Sequence, residues 1–383
     1  MDLKGAAGQA PARIACFFST SGHSGVDRAM GNLIPALARR GYPVDQLKVR
    51  RHGPDLGEHS PPGVSVIDLG SHHTLACLPA VVAYLRRHRP AVMLSDKDRV
   101  NRVALFARFL ARVPVRLVLR SGMTISGDLA ERGPLERWVQ RTSMGRLYRL
   151  ADQVIVPSVG AADDMAEYTG LPRGHIRVVP TPIIPASLLE GTQPRPTHPW
   201  IGDPTRPLIL SVGELSGRKD FETLIRAFAL VRARRPCRLM ILGRGRACDR
   251  LLALATALGV AEDLTLPGFV PEPYGFLAHA DLFAFSSRRE GLGMALVEAL
   301  AAGTAAVSTD CPSGPREVLQ GGRFGPLVPV GDHHALAEAI LATLDSPLPR
   351  EHLKAAARRY EIESATDAYL SVFGLAPEAA DAA

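Results

Sequence analysis

The sequence predicts an α/β protein made of two doubly wound, Rossmann-like parallel sheets that face a cleft. Short apolar segments rich in β-branched residues alternate with amphipathic helical segments in both halves of the chain. The 383 residues exceed the roughly 250–300 residues at which a single core stops growing. A proline-rich stretch without periodicity separates the two alternations.

The first half contains seven predicted strands. The helix after the first of them carries apolar residues at i, i+3, i+4, i+7 and i+8, which is typical of a helix facing a core. Alternation of this kind predicts parallel strands with helices on both faces of the sheet. The strand segments read RIACFFS, VDQLKV, VSVIDL, AVMLSD, VRLVLR, QVIVPS and IRVVP.

The middle of the chain predicts a linker, because eight prolines fall within residues 180–207 and leave few backbone donors for core structure. The predicted organisation is an N-terminal domain at 1–185, a linker at 186–206 and a C-terminal domain at 207–348. Helices at 349–383 follow, with packing back on the N-terminal domain left open, and end in a flexible tail.

The second half repeats the pattern with six predicted strands. They read PLILSVG, RLMILGRG, LTLPGFV, DLFAFSS, AAVSTD and PLVPV, and helical segments separate them. Ligands of open parallel sheets bind outside the carboxyl ends of the strands. Two such crevices facing one another therefore predict a ligand-binding cleft.

Composition excludes several classes of protein. No run approaches the roughly 18 apolar residues of a membrane span, and the N-terminal residues lack a signal-peptide core, so a cytoplasmic protein is expected. Five scattered cysteines without a C-x-x-C pair indicate neither a disulfide framework nor a zinc site. Near the predicted cleft there is no His-x-x-His pattern, and no metal is expected.

Positive charge is concentrated in the first half. Residues 1–190 contain 25 Lys and Arg against 16 Asp and Glu, whereas residues 191–383 contain 20 against 22. The arginines lack interleaved aromatic residues, which argues against a nucleic-acid partner. Peripheral contact with an anionic membrane, a phosphate-bearing acceptor, or simple solvated helix faces all remain open.

The segment SVGELSGRKDF follows the first strand of the second half. Arg218 and Lys219 lie there at a predicted helix start, where backbone N–H groups and the helix dipole favour an anion. This pattern predicts a diphosphate site, with a surface turn carrying two solvated bases as the alternative. His23, in the loop after the first strand of the chain, is a candidate contact for an acceptor or a phosphate.

The segment REGLGMALVEAL carries two glutamates eight residues apart, Glu290 and Glu298. If both were helical they would lie about 80° apart and more than two turns distant, so they should not pair. Gly291 and Gly293 favour a loop, with a helix from about Met294. The loop glutamate would then reach a bound sugar, and the helical one could accept hydrogen bonds from ribose hydroxyls.

This element, EGLGMALVE, resembles the E-x7-E element of the family 4 retaining glycosyltransferases. VGELSGRKDFETLIRAF, STDCPSGPREVL and, less closely, SGVDRAMGNLIPALARRGYPVD resemble further blocks of that family. The resemblance covers about residues 12–345. It implies the glycosyltransferase-B fold, with an N-terminal acceptor domain and a C-terminal nucleotide-sugar domain.

The resemblance also implies roles for particular residues. Lys219, with Arg218 beside it, would contact the donor diphosphate; Glu290 would lie against the transferred sugar, as nucleophile or as a partner of its hydroxyls; and Glu298 would hold the ribose. The remaining donor contacts would come from Gly25, Gly213, Val270, Leu292 and Gly293.

Three departures from the family pattern stand out. Glu214 occupies the place of a usual arginine, Ser24 and Asp27 replace a glycine and a glutamate of the first-domain loop, and Arg120 is the nearest candidate for a usual histidine that contacts substrate. The predicted function is transfer of a sugar from a UDP-sugar to a glycan or lipid-linked acceptor. An epimerase or phosphorylase on the same fold, or a non-catalytic nucleotide-sugar-binding subunit, are the alternatives.

Overall fold

Two separate parallel sheets organise the chain in a computed structural model that describes residues 11–20, 22, 24–53, 60–129 and 132–375. Each sheet is the centre of its own unit. Every strand in the described residues falls inside a segment that the sequence predicts to be a strand, so the predicted α/β class and the two parallel sheets are confirmed.

The sheet of the first unit has seven strands in the order β3-β2-β1-β4-β5-β6-β7, and neighbouring strands are parallel throughout. Ile14 lies opposite Val44 on one side and Val92 on the other. The strands are β1 (Ile14–Phe18), β2 (Val44–Lys48), β3 (Val64–Asp68), β4 (Val92–Asp96), β5 (Arg116–Arg120), β6 (Gln153–Val156) and β7 (Ile176–Val178).

Helices pack on both faces of this sheet. The central strands β1 and β4 are buried along their whole length, as expected for strands covered on both sides. The first helix buries Met30, Leu33, Ile34 and Leu37, the face that its periodicity predicts. The helices are α1 (Gly25–Arg39), α2 (Leu78–His88), α3 (Asp98–Ala111), α4 (Ile125–Leu129), α5 (Pro134–Leu147) and α6 (Val159–Thr169).

The second unit repeats this topology with six strands in the order β10-β9-β8-β11-β12-β13. The strands are β8 (Leu208–Val212), β9 (Arg238–Leu242), β10 (Leu264–Gly268), β11 (Leu282–Phe285), β12 (Ala306–Thr309) and β13 (Leu327–Val328). The helices are α7 (Ala186–Glu190), α8 (Phe221–Arg234), α9 (Cys248–Ala257), α10 (Tyr274–His279), α11 (Met294–Ala301), α12 (Pro315–Val318), α13 (His333–Asp345) and α14 (Arg350–Ala357).

The strand order reverses at the first strand of each sheet. In the second unit β8 has β9 on one side and β11 on the other, so the loops after β8 and β11 leave the sheet at adjacent positions. Such a reversal opens a crevice at the carboxyl ends of the strands, which is where ligands of this fold class bind. The two loops contain the residues that the sequence singles out, Arg218 and Lys219 after β8 and Glu290 after β11.

The chain enters the second unit at Ile184 and leaves it after Glu361. These two residues form a parallel bridge, and the Ile184 backbone N–H donates to the Tyr360 carbonyl at 3.0 Å. The proline-rich residues 186–206 therefore belong to the second unit, as does α14. The last helix, α15 (Ile362–Phe373), belongs to the first unit.

A buried ion pair helps to hold α15 in the first unit. Arg120, at the end of β5, pairs with Asp96 at the end of β4, and both side chains are almost completely buried. The Arg120 Nε donates to the Tyr369 hydroxyl of α15 at 3.1 Å, and Nη2 donates to Thr181 at 3.4 Å. At the surface, Arg39 of α1 also pairs with α15, through Glu363.

We predict that Arg120→Met lowers the free energy of unfolding by about 3–5 kcal/mol, because Asp96 would remain buried without its partner. The matched control is Arg39→Met, which breaks a solvent-exposed pair to the same helix and should cost less than about 1 kcal/mol. Urea unfolding followed by circular dichroism measures both variants. Equal stability of the two variants would contradict a structural role for Arg120.

Candidate functional site

The loop after β8 brings Lys219 back across the end of its own strand. A Cβ atom on Gly213 would lie 3.0 Å from Lys219 Cε and 3.2 Å from Cδ, so the absence of a side chain at Gly213 makes room for the lysine stem. Asp220 then adopts a left-handed conformation, with φ of 49°, and α8 begins at Phe221. The lysine therefore lies just before the helix, close to where its sequence position predicts.

The loop after β11 ends in a glycine that begins the next helix. Gly293 has φ of 89° and caps α11, which starts at Met294 as the sequence predicts. Glu290 lies in the loop, whereas Glu298 lies in the second turn of α11 and is 1% exposed. The two glutamates thus occupy different local environments, in agreement with their predicted separation.

An ion triplet joins the two loops. Glu290 Oε1 lies 2.7 Å from Lys219 Nζ and 2.9 Å from Arg218 Nη1. The side chains of Glu290 and Lys219 are 7% and 11% exposed, and that of Arg218 is 29% exposed. Two cations and one carboxylate leave a local charge of +1 at the carboxyl ends of β8 and β11.

Burial and charge act on the two buried members in opposite directions. Burial by itself raises the pKa of Glu290, but the charges of Lys219 and Arg218 outweigh it and hold that pKa below its ordinary value. Burial lowers the pKa of Lys219, and the Glu290 charge offsets this only in part. Glu290 is therefore a carboxylate at neutral pH, and removing its charge would lower the lysine pKa further.

Residues that the sequence analysis did not select hold the triplet in place. Lys219 Nζ lies 4.8 Å from the centre of the Phe285 ring, and Ser286 Oγ donates to the Lys219 carbonyl at 2.9 Å. The Arg288 backbone N–H donates to the Arg218 carbonyl at 2.8 Å. The β8 loop is thus fastened to the β11 loop by backbone and side-chain contacts, and the only sequence signal for them is their position at the end of β11.

A third loop, after β12, supports the glutamate loop. Ser313 Oγ donates to the Gly291 carbonyl at 3.0 Å. Gly314 has φ of 92°, and a Cβ there would lie 2.2 Å from the Leu292 carbonyl oxygen. The Ser313–Gly314 pair of the segment DCPSGPRE is therefore shaped by close packing against the glutamate loop.

The remaining predicted donor residues surround the same strand ends in different ways. Leu292 is buried at 4% exposure, and Val270 follows β10 and is half-buried. Next to it Phe269 is exposed, and the Arg244 guanidinium lies 5.0 Å from the centre of its ring. This aromatic and cationic pair offers a stacking surface, next to which the sequence selects only Val270.

The site residues predicted in the first unit provide less support for a ligand site than those of the second unit. His23 lies outside the described residues. Gly25 is the exposed first residue of α1, and Ser24 and Asp27 form a capping box, since the Asp27 carboxylate accepts from the Ser24 backbone N–H at 2.7 Å. The departure from the family pattern at these two positions therefore makes a sound helix start. Arg120 is occupied by the buried contacts described above, and its role toward a substrate stays a prediction.

Within the described residues, no group of three or more His, Cys, Asp or Glu is arranged to hold a metal ion, and the five cysteines are free. No helix in the same part of the chain is long and apolar enough to cross a bilayer. The charged side chains that the structure brings together at the ends of β8 and β11 are those of Lys219, Arg218 and Glu290. Buried cations of this kind can bind a phosphate group and stabilise charge that develops on it.

Comparison with known proteins identifies the family. The second half of the chain, residues 199–360, matches the model for glycosyl transferases group 1, and residues 24–182 match the glycosyl transferase 4-like domain. An N-acetylgalactosamine-N,N'-diacetylbacillosaminyl-diphospho-undecaprenol 4-alpha-N-acetylgalactosaminyltransferase of Campylobacter jejuni subsp. jejuni serotype O:2 is 31% identical over 261 residues, which are 67% of this chain and 68% of the relative. The chain belongs to the family 4 glycosyltransferases.

Two further similarities agree with this family 4 assignment. The lipopolysaccharide core biosynthesis glycosyltransferase LpsE of Rhizobium meliloti is 34% identical over 176 residues, 45% of this chain and 51% of LpsE. The crystal structure of Anabaena Alr3699/HepE in complex with UDP and glucose superposes with a TM-score of 0.76 at 18% identity, covering 94% of this chain and 99% of that one. This structural similarity shows that the family 4 chain has the glycosyltransferase-B fold.

We predict that Glu290→Gln binds pyrophosphate about tenfold more tightly than the unaltered chain, because a charge that competes for both cations is removed while the shape is kept. The gain should shrink as the pH rises, since Lys219 loses its proton more readily without Glu290. Isothermal titration calorimetry measures both effects.

The matched control is Glu214→Gln, which removes an exposed carboxylate from the same β8 loop and should change the affinity less than about twofold. Weaker pyrophosphate binding by Glu290→Gln than by the unaltered chain would contradict the assignment of this site to an anionic group.

Proposed function

We propose that this glycosyltransferase moves a sugar from a nucleoside-diphosphate sugar, UDP-linked, to a glycan or lipid-linked acceptor with retention of the anomeric configuration. The observation that carries the proposal is the ion triplet at the strand reversal of the second sheet, in which buried Lys219 and Glu290 pair beside the partly exposed Arg218. In this proposal the second unit binds the donor and the first unit binds the acceptor.

The two cations would receive the donor diphosphate. Cleavage of the bond between the sugar and the diphosphate leaves negative charge on the leaving phosphate and positive character on the sugar. Cations fixed in place before the reaction lower the barrier, and they act more strongly where water is excluded. Lys219 meets this condition because its side chain is 11% exposed and its ammonium is held by Glu290.

We propose that the diphosphate replaces Glu290 as the partner of the two cations. The glutamate would then be released toward the sugar, where it accepts hydrogen bonds from hydroxyl groups. Its lowered pKa supports this role, because a carboxylate accepts hydrogen bonds and does not supply a proton. The alternative for Glu290 is attack on the anomeric carbon, which would form a covalent glycosyl–enzyme intermediate.

Retention then follows from attack on the face that the phosphate leaves. The acceptor hydroxyl oxygen forms a bond to the anomeric carbon while the bond from that carbon to the phosphate oxygen breaks. The hydroxyl proton passes to the departing phosphate oxygen, so no other base is needed. Lys219 and Arg218 hold the phosphate close enough to the acceptor for this transfer.

The choice of donor and acceptor is supported by two of the proteins compared above. The Anabaena structure contains UDP and glucose, and the Campylobacter relative is named for transfer to a diphospho-undecaprenol-linked sugar. The exposed Phe269 and the Arg244 guanidinium over its ring give a surface on which a flat base could stack. A uridine nucleotide and a lipid-linked glycan are therefore the donor and acceptor classes that we propose.

We predict that Lys219→Ala lowers the rate of sugar transfer at least about a hundredfold, because one fixed cation at a leaving group is worth roughly 3–4 kcal/mol. The assay measures UDP release and glycosylated product from a panel of UDP-hexoses and UDP-N-acetylhexosamines. Product analysis also separates transfer from epimerisation or phosphorolysis.

The control for this variant is Lys354→Ala, since Lys354 lies in the same unit and pairs with Glu351 on α14. It should retain activity within about twofold because its surface ion pair contributes little. A Lys219→Ala loss smaller than threefold in the same assay would remove Lys219 from the site.

We further propose that transfer needs no metal ion, because the two cations supply the charge that a bound Mg²⁺ would otherwise bring to the diphosphate. Transfer should therefore continue at an unchanged rate after dialysis against EDTA. A rate that disappears in EDTA and returns on addition of Mg²⁺ would contradict this proposal.

A further inference from the structure

Helix α5 of the first unit exposes an apolar face. Of its 14 residues, Met144 and Gly145 are buried in the structure as described. Leu135, Trp138 and Val139 lie at positions i, i+3 and i+4 and hence along one side of the helix, and they are 74%, 63% and 44% exposed. An amphipathic helix normally turns such a stripe toward a core. Here the stripe faces solvent.

The neighbouring helix α3 also exposes apolar side chains. Phe106, Phe109 and Leu110 follow the same i, i+3, i+4 spacing, and Phe109 is 76% exposed. α3 packs against α5, and the Arg108 guanidinium of α3 donates to the carbonyl of Leu150, which follows α5 and is itself exposed. Two neighbouring helices therefore present aromatic and aliphatic side chains to the solvent.

Positive charge surrounds the apolar face of α5. Residues 132–149 contain five arginines and a single acidic residue, Glu136, which pairs with Arg132. Arg137, Arg141 and Arg146 have no ion pair in the part of the chain that the structure describes. Among the described residues, the charges of these three arginines are therefore not compensated by an acidic partner.

A surface cavity of about 440 Å³ lies between the tryptophan and the arginines. Trp138, Arg141, Arg146 and Arg149 line it. Arg149 donates to the carbonyls of Gly145 and Gly170 at 2.9 and 2.8 Å, so it is held in place. Arg141 and Arg146 donate to no other residue that the structure describes. Guanidinium groups beside an indole suit a phosphate head group attached to an apolar chain.

We propose that α5 and the adjoining face of α3 form a docking surface for a bilayer that contains anionic phospholipid. A helix with Trp, Leu and Val on one side and arginines beside them is the pattern of a segment that lies in the membrane interface. The indole would sit at head-group level, with the arginines bound to lipid phosphates. A bilayer is favoured over a protein partner because it meets the exposed apolar stripe and the unpaired arginines together.

This inference goes beyond the proposed function, because docking needs neither the sugar donor nor the Lys219 site. It would bring the first unit to the surface where a lipid-linked acceptor resides. Failure of docking and failure of transfer are measured in separate assays, since the vesicle experiments contain no nucleotide sugar.

The two tryptophans of the chain allow a direct test. Trp200→Phe leaves Trp138 as the sole tryptophan, and its emission should shift to shorter wavelength when vesicles of phosphatidylglycerol and phosphatidylcholine are added. Trp138→Phe leaves Trp200, in the second unit, whose emission should not shift. High salt should reverse the shift by screening the arginines. An unchanged Trp138 emission would overturn the proposal.

Co-sedimentation of the full chain with the same vesicles tests both parts of the surface. Leu135→Ser with Trp138→Ser should weaken binding at least about tenfold by removing the interfacial anchors, and Arg141→Ser with Arg146→Ser should do the same by removing attraction to the anionic lipid. The matched control is Leu252→Ser, an exposed leucine of α9 in the second unit, which should leave binding unchanged.

Three results would overturn the proposal. They are the absence of vesicle binding by the unaltered chain, equal binding to vesicles of pure phosphatidylcholine, and binding that both double variants retain. Binding of soluble glycerol phosphate without binding of vesicles would also overturn it, since it would assign the arginines to a free phosphate.

Discussion

Burial of the Lys219–Glu290 ion pair beside the partly exposed Arg218, at the strand reversal of the second sheet, is the constraint on which the site depends. Removing an ammonium group from water costs several kcal/mol unless an opposite charge compensates it. Glu290 provides that charge to both Lys219 and Arg218, and the triplet still keeps a charge of +1. In the function that we propose, a doubly charged phosphate group would satisfy the cations better than one carboxylate does. Binding and chemistry would then both depend on one exchange of partners.

Around the triplet, glycines allow the backbones of neighbouring loops to lie close together. A Cβ on Gly243 would lie 1.8 Å from the Gly213 carbonyl oxygen, so the loops after β8 and β9 can meet only because a side chain is absent there. A Cβ on Gly314 would likewise lie too close to the Leu292 carbonyl oxygen, so the loops after β12 and β11 also meet only because a side chain is absent. Four neighbouring strand ends are thus packed backbone to backbone. The proposed role of Lys219 requires that rigid frame, because a loosely held lysine would lose the advantage of being fixed before the reaction.

The sequence predicts the local features of this structure better than its long-range contacts. Strand segments, the start of α11 at Met294 and the placement of Glu290 in a loop follow from periodicity and glycine positions, which act over a few residues. The pairing of Glu290 with Lys219 joins residues 71 positions apart and depends on which strands are neighbours. The hydrogen bond from Arg120 to Tyr369 joins residues 249 positions apart, and no local sequence pattern predicts it. The sequence does not predict the exposure of Trp138 either, because an apolar stripe on a helix ordinarily predicts burial.

The most direct test of the account is a crystal structure of the chain with an intact UDP-sugar. We expect diphosphate oxygens to lie within about 3.2 Å of Lys219 Nζ and the Arg218 guanidinium, a normal hydrogen-bond distance. Glu290 should have left both cations, with its carboxylate against the sugar hydroxyls. A UDP-sugar bound with its diphosphate away from residues 213–219, or with Glu290 still paired to Lys219, would contradict the account.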